Sequence, residues 1–178
     1  MIVTVRHAFL PTSYGDLLAV AAADDTGDQD ALIGLYFPQH WYPPGADAIG
    51  DLVDPAGDAL FTRTAAELAA YFAGELTAFT LPVRTTGDPL SERVWTRLCE
   101  IPYGQTTTYG AIATELGNRN LAQRVGQAVG HNPISIVIPC HRVVGADGGL
   151  TGYAGGLDRK RRLLDLESPA PDEAGRLF

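Results

Sequence analysis

At Thr85-Thr86-Gly87-Asp88-Pro89 the hydrophobic rhythm of the chain changes, and that change limits the fold more than any other feature. Before it, apolar residues come in runs of strand length: Ile2–Val5, Leu17–Ala22 and Ala31–Phe37. Asp24-Asp25-Thr26-Gly27-Asp28 between the last two is turn chemistry. Trp41-Tyr42-Pro43-Pro44-Gly45 breaks regular structure and reads as a surface loop. Thr64-Ala65-Ala66-Glu67 has capping-box spacing and predicts a helix with Leu68, Tyr71 and Phe72 on one side. Strands and a helix together predict a small α/β unit over 1–85 in which no residue stands out as part of an active site.

After the break the spacing turns helical. Ser91 is placed to cap a helix bearing Val94, Trp95 and Leu98 that stops before Pro102-Tyr103-Gly104. Thr108 is placed to cap a second helix, Tyr109 to Leu116, ended by Gly117. The turn Asn118-Arg119-Asn120 leads to a third helix over about 121–130, so the last two form a helix-turn-helix pattern. A final helix covers Leu157–Glu167, and 169–178 reads as a loose tail.

Composition narrows the class. Of 178 residues 46% are apolar and 19% charged, enough for a packed core. The longest aliphatic run, Leu17 to Ala23, is far short of the roughly 20 residues of a membrane span. Two cysteines, Cys99 and Cys140, can build neither a disulfide framework nor a cysteine-rich zinc site. The expectation is a soluble cytoplasmic protein with no membrane partner. The net charge of −8 argues against a general nucleic-acid binder. Yet it is unevenly spread: 1–85 carries 3 basic against 11 acidic residues, 86–165 carries 9 against 7. The run Arg159-Lys160-Arg161-Arg162 reads equally as a solvated helix face or as a contribution to DNA binding.

Two features carry chemistry. Ala122, Gly126 and Gly130 recur every four residues on the third helix, leaving one stripe almost without side chains, while Val125 and Val129 face the core. Such a stripe allows close approach, by a neighbouring helix or by a narrow groove. Further on, the strand-like run from Ile134 ends at Pro139, and Cys140-His141-Arg142 follow at once. An unassisted thiol is only a few per cent thiolate at neutral pH, so a nucleophilic cysteine needs a base or a positive charge beside it. His141 and Arg142 are the adjacent candidates. A carboxylate should orient the histidine, and spacing leaves Asp158, Asp165 and Glu167 all open. Cys99, in helical register between Leu98 and Glu100, reads as an inert core residue.

Pro139-Cys140-His141-Arg142-Val143 resembles the active-site motif of the O6-alkylguanine-DNA alkyltransferases. The resemblance also takes in Ile101 to Tyr109, Gly126, Asn132-Pro133, Gly152-Tyr153-Ala154-Gly155-Gly156-Leu157, Lys160, Leu163-Leu164 and Glu167, so that it covers roughly 88–168 in family order. It implies an α/β N-terminal domain, ribonuclease-H-like, over 1–85. A helix-turn-helix, winged-helix-like C-terminal domain follows over 86–168. It implies direct repair: an O6-alkylguanine, or an O4-alkylthymine, is flipped out of double-stranded DNA and its alkyl group moves irreversibly to Cys140. By the same resemblance His141 takes the thiol proton through a water, Glu167 holds the imidazole, and Asn132 braces the active-site segment. Tyr109 helps extrude the base and donates to it, and Tyr153 with the Ala154 backbone lines the base pocket. Ala122, Gly126 and Gly130 then face the minor groove. No cofactor or metal is implied, and a monomer is the default.

One position departs from the family pattern. Where the family often carries an arginine that fills the gap left by the flipped base, this chain has Gln123, with Arg124 one residue later. Gln123 fills the gap itself, or the helix start is reset so that Arg124 does, or Gln123 closes a capping box with Asn120. Two rival functions are a helix-turn-helix regulator with Cys140 as an alkylation sensor, and a thiol hydrolase. The first lacks a second DNA-binding domain, and the second is not favoured by adjacent Cys-His placement.

Overall fold

The structure, a computed structural model, describes residues 4–23 and 29–168. The N-terminal half is built on strands β1 (Thr4–Leu10), β2 (Leu17–Ala23), β3 (Ala31–Tyr36) and the two-residue β4 (Asp51–Leu52). Their order is β3-β2-β1-β4, antiparallel except where β4 runs parallel to β1. β1 therefore runs well beyond the expected Val5, and Arg6 and His7 lie within it rather than ending it. The expected turn at 24–28 and the tail at 169–178 lie outside the described residues.

The outer edge of β3 is used rather than left bare. Leu32 exchanges backbone hydrogen bonds with Pro82 and Arg84, and Leu35 with Pro133 and Ser135. The second pair seats the segment leading to Cys140 directly on the N-terminal sheet.

Helix α1 (Ala59–Phe72) starts one and a half turns earlier than the Thr64 capping box predicts. Asp58 is the N-cap and accepts from the amides of Leu60 and Phe61, each at 3.0 Å. Thr64 is instead buried inside the helix with its hydroxyl donating to the Leu60 carbonyl, and Glu67 holds Thr80. Likewise α2 (Pro89–Cys99) is capped by Asp88, one residue before a proline at N1, and the Ser91 hydroxyl merely donates to the Asp88 carboxylate. In both places an aspartate earlier in the chain supplies the better cap.

Thr108 does cap α3 (Tyr109–Glu115), accepting from Ala111 N at 3.1 Å, and Gly117 follows with φ +96°. A 3-10 turn at Arg119–Leu121, capped by the Asn118 side chain, leads into α4 (Ala122–Gly130). Leu121 is the N-cap of α4 and no side chain caps it, which removes the Asn120–Gln123 capping box. Val125 and Val129 are buried, and the Trp95 indole ties α2 to α4 by donating to the Ala128 carbonyl at 2.8 Å.

α5 (Leu157–Glu167) closes the fold, and its basic run is divided: Arg161 and Arg162 are exposed, Arg159 is half-buried and Lys160 is buried. Arg159 donates to the carbonyls of Tyr14, Pro38 and Gly155. Arg162 lies 4.0 Å from the Tyr14 ring centroid, and Lys160 is fully buried. Arg159 and Arg162 fasten α5 to the N-terminal half, while Lys160 turns into the C-terminal half. Among the described residues no helix is long and apolar enough to cross a membrane.

Candidate active site

The segment before Cys140 is not a strand. After a single bridge to Leu35 at Ile134 the chain coils through successive turns, and Cys140–Arg142 form one turn of 3-10 helix. Ile136 sits at φ +72°, a region a β-branched residue enters only at a cost of about 1–3 kcal/mol. Asn132 holds that conformation. Its amide donates to the carbonyls of Ile138, at 2.8 Å, and Ile134, while its oxygen accepts from Ile134 N. A two-residue parallel pairing of β5 (Thr107–Thr108) with β6 (Val143–Val144) then ties the start of α3 to the chain just after Cys140.

Cys140 is 4% exposed. Burial pushes its thiol up, against the opposing pull of the Asn132 side chain, the Lys160 charge and the Tyr153 hydroxyl. The sulfur is a protonated thiol at rest and needs a base. Cys99, by contrast, is exposed at the end of α2 rather than buried as expected.

His141 is fully buried, and burial lowers its proton affinity so that the ring is neutral near pH 7. Its Nε2 lies 2.9 Å from Glu167 Oε1. Of the three carboxylates compatible with spacing, Glu167 is the one that reaches it. Burial works to raise the Glu167 carboxyl, but hydrogen bonds from His141 and Arg142 hold it well below the usual carboxylate range. An ionised carboxylate can only accept, so the proton of neutral His141 is on Nε2 and Nδ1 keeps a lone pair. That Nδ1 is buried with no hydrogen-bond partner among the described residues.

Arg142 fixes the carboxylate from the other side. Nε donates to Glu167 Oε2 and Nη2 to Oε1, both at 2.9 Å, and Nη1 donates to the Ile101 carbonyl at 2.6 Å. The N-terminal half joins in, contrary to expectation: the Tyr71 hydroxyl of α1 donates to Glu167 Oε1 at 2.6 Å. Lys160, which has no expected role, spans Val143 O at 2.6 Å and Thr151 O at 2.9 Å, and burial pushes its ammonium down to about 8. Neither residue carries a local sequence signal, since a tyrosine on an apolar helix face and a lysine in a basic run both read as ordinary.

A groove of about 470 Å³ opens beside this cluster, lined by Tyr109, Ala122, Gln123, Gly126, Gly130, Thr151 and Ala154, with Trp41 and Tyr42 on its rim. A Cβ added at Gly130 would meet nothing within 4 Å, and one at Gly126 would meet only the Tyr109 ring, at 3.7 Å. The stripe lines the groove: it is open at Gly130, faces the Tyr109 ring at the start of α3 at Gly126, and is half-buried at Ala122. Gln123 points to the groove, whereas Arg124 lines a separate cavity beside Asp88 and Ser91. The Tyr109 hydroxyl donates to the Thr151 carbonyl at 3.3 Å. Tyr153 is buried, with its hydroxyl close to the Cys140 thiol. The surface loop Trp41–Gly45 crosses to this side, with Trp41 N donating to Ala154 O at 2.9 Å and Tyr42 stacked on His131.

The chain is similar to known proteins over most of its length. Residues 89–169 match the family described as 6-O-methylguanine DNA methyltransferase, DNA binding domain. The methylated-DNA–protein-cysteine methyltransferase of Mycobacterium bovis is 49% identical over 134 residues, 74% of this chain and 73% of that protein. The crystal structure of Mycobacterium tuberculosis O6-methylguanine methyltransferase superposes with a TM-score of 0.79 at 40% identity, covering 96% of this chain and 98% of that one. The same organism's OGT in complex with DNA gives 0.78 at 39% identity, covering 93% and 96%.

Proposed function

The chain belongs to the methylated-DNA–protein-cysteine methyltransferases, and from that premise we propose that Cys140 is the acceptor, taking the alkyl group from O6 of a guanine flipped out of duplex DNA. The reaction is direct-reversal repair, with the alkyl group moved from DNA to a cysteine of the protein itself.

The observation that carries the assignment to Cys140 is the buried His141–Glu167 pair beside it, with His141 Nδ1 left unpaired. Nδ1 takes the thiol proton through a water, and Glu167 stabilises the imidazolium that forms. The sulfur attacks the alkyl carbon in line, an S–C bond forms and the C–O bond breaks. The electron pair leaves with the guanine, offset by donation from Tyr109 to the base. The product is a thioether, whose C–S bond offers no easy leaving group, so each molecule acts once. Asn132 braces the strained loop that presents Cys140, and the Ala154 backbone and Tyr153 form the floor of the base pocket.

The stripe Ala122, Gly126 and Gly130 lets α4 enter the minor groove, only about 6 Å wide. Gln123, on the groove side of α4, fills the gap in the stack, and Arg124 does not. O4-alkylthymine is a second substrate of the same pocket. In this reading 1–85 is a ribonuclease-H-like domain and 86–168 a winged-helix-like one, acting in the cytoplasm as a monomer.

Nucleoside analysis of a duplex carrying one O6-methylguanine tests the assignment. The expected result is guanine restored in place of the lesion, one per protein molecule and never more. Persistence of the lesion, or turnover beyond one equivalent, contradicts it.

A further inference from the structure

Tyr71 belongs to the N-terminal half, yet its hydroxyl reaches the centre of the C-terminal site. The ring is fully buried and held by aromatic neighbours, with centroids at 5.6 Å to Phe72, 5.2 Å to Phe79 and 6.2 Å to Tyr103. Packing accounts for the ring but not for the hydroxyl, which a phenylalanine would lack at no loss of shape. That hydroxyl lies 2.6 Å from Glu167 Oε1 and 3.4 Å from His141 Nε2. Burial and the Glu167 charge raise the phenol well above its ordinary range, so it stays protonated and donates its proton to Glu167.

Glu167 Oε1 is thus a shared acceptor. It receives Tyr71 at 2.6 Å, His141 Nε2 at 2.9 Å and Arg142 Nη2 at 2.9 Å. Charge drawn toward one donor is withheld from the others. We propose that Tyr71 is a positioning residue for alkyl transfer: its hydroxyl occupies one side of Glu167 Oε1 and so sets how strongly that oxygen pulls on the His141 imidazole. The N-terminal half thereby tunes the base that activates Cys140. The proposal rests on His141 being that base.

The other charged and titratable groups around His141 are Glu167 and Lys160 from α5 and Arg142 and Cys140 from the 3-10 turn. Tyr103, from the loop after α2, and Tyr153, from the loop before α5, act on Tyr71. None of them changes when only the Tyr71 hydroxyl is altered. Removing it by Tyr71→Phe leaves Glu167 with more charge for His141, which becomes a stronger base. Replacing Tyr71 with 3-fluorotyrosine keeps the ring and hydroxyl but donates more strongly, and acts in the opposite sense.

The test measures two quantities in wild type and both variants. One is the His141 titration by NMR, and the other is the pH dependence of single-turnover transfer from a duplex carrying O6-methylguanine. In Tyr71→Phe the His141 midpoint and the acid limb of the rate should both rise, by about half a pH unit or more. In the fluorinated protein both should fall, while affinity for unmodified duplex stays at the wild-type value in each. Titrations and profiles that superimpose on an active wild type would leave the hydroxyl a purely structural role and overturn the proposal. A wild type that transfers nothing would instead overturn the reading beneath it. Should Tyr71→Phe not fold, the fluorinated protein decides alone, by a shift or by none.

Discussion

Each half of the molecule carries an arginine clamped onto carboxylates, and the two clusters differ in what they leave over. In the N-terminal sheet Arg6 grips Asp30 and Asp58, and Asp58 also caps α1. Its side chains are partly wet, 15% exposed for Arg6 and 30% for Asp30. In the C-terminal half Arg142 grips Glu167, whose side chain is 1% exposed, and Glu167 also holds His141. Asp58 directs its hydrogen bonds to helix amides and a guanidinium, and its work ends in architecture. The second cluster ends in a buried imidazole nitrogen with no hydrogen-bond partner among the described residues, next in the chain to a buried thiol. An ion cluster becomes chemistry where its last member keeps a free lone pair that can take a proton.

Substituting each carboxylate by its amide should separate the two roles most strongly. Glu167→Gln should slow transfer about 10²–10⁴-fold and cost roughly 3 kcal/mol by leaving Arg142 buried without its counter-charge. Asp58→Asn should cost less, about 1–2 kcal/mol, through a weakened cap and the loss of one of the two carboxylates that Arg6 holds, with the transfer rate of the folded protein unchanged. Single-turnover kinetics beside urea unfolding reads both.

Acidification should act on the clusters in order. His141 is lowered by burial, so the unfolded chain binds its proton first, near pH ~6.5. Stability should therefore decline as pH falls through that value, and the rate should follow at lower pH when the folded imidazole protonates. Asp58 and Glu167 are both held low, and their contribution is lost only as pH falls through their depressed values. Urea unfolding from pH 7.5 to 5.5 should show a steeper slope in wild type than in His141→Asn, where only His40, also lowered by burial, still contributes one.

A smaller effect separates the two faces of α4. Gln123→Ala should weaken binding to lesion-bearing duplex about fivefold, ~1 kcal/mol, and Arg124→Ala should leave base extrusion unaffected. Fluorescence of a base analogue at the lesion site distinguishes them.

The C-terminal half was legible because its signals are local. Thr108 caps a helix three residues from its partner amide, and Cys140, His141 and Arg142 are neighbours in the chain. Asp58 displaced the capping box at Thr64 because a competing cap, judged only by residue type, is invisible until Arg6 is seen to brace it from 52 residues away. The run before Cys140 reads as a strand because it is a short apolar stretch that ends at Pro139. It coils because Asn132 satisfies three backbone groups there that a strand partner would otherwise take. Tyr71 and Glu167 are 96 residues apart, and no periodicity connects them. Exposure misled in the same way, placing Cys99 inside when only one face of its helix is covered.

The chain holds two thiols, the exposed Cys99 and the buried Cys140, and they supply the most direct test of whether the His141–Glu167 cluster, rather than access, makes a nucleophile. Wild-type protein is mixed with excess duplex carrying one O6-methylguanine, weighed intact, and digested so that each cysteine peptide is read separately. One methylene's mass on every molecule, all of it on Cys140 and absent from Cys140→Ala, is the predicted result. Alkylation at Cys99, or no mass gained by folded, reduced protein, would contradict it.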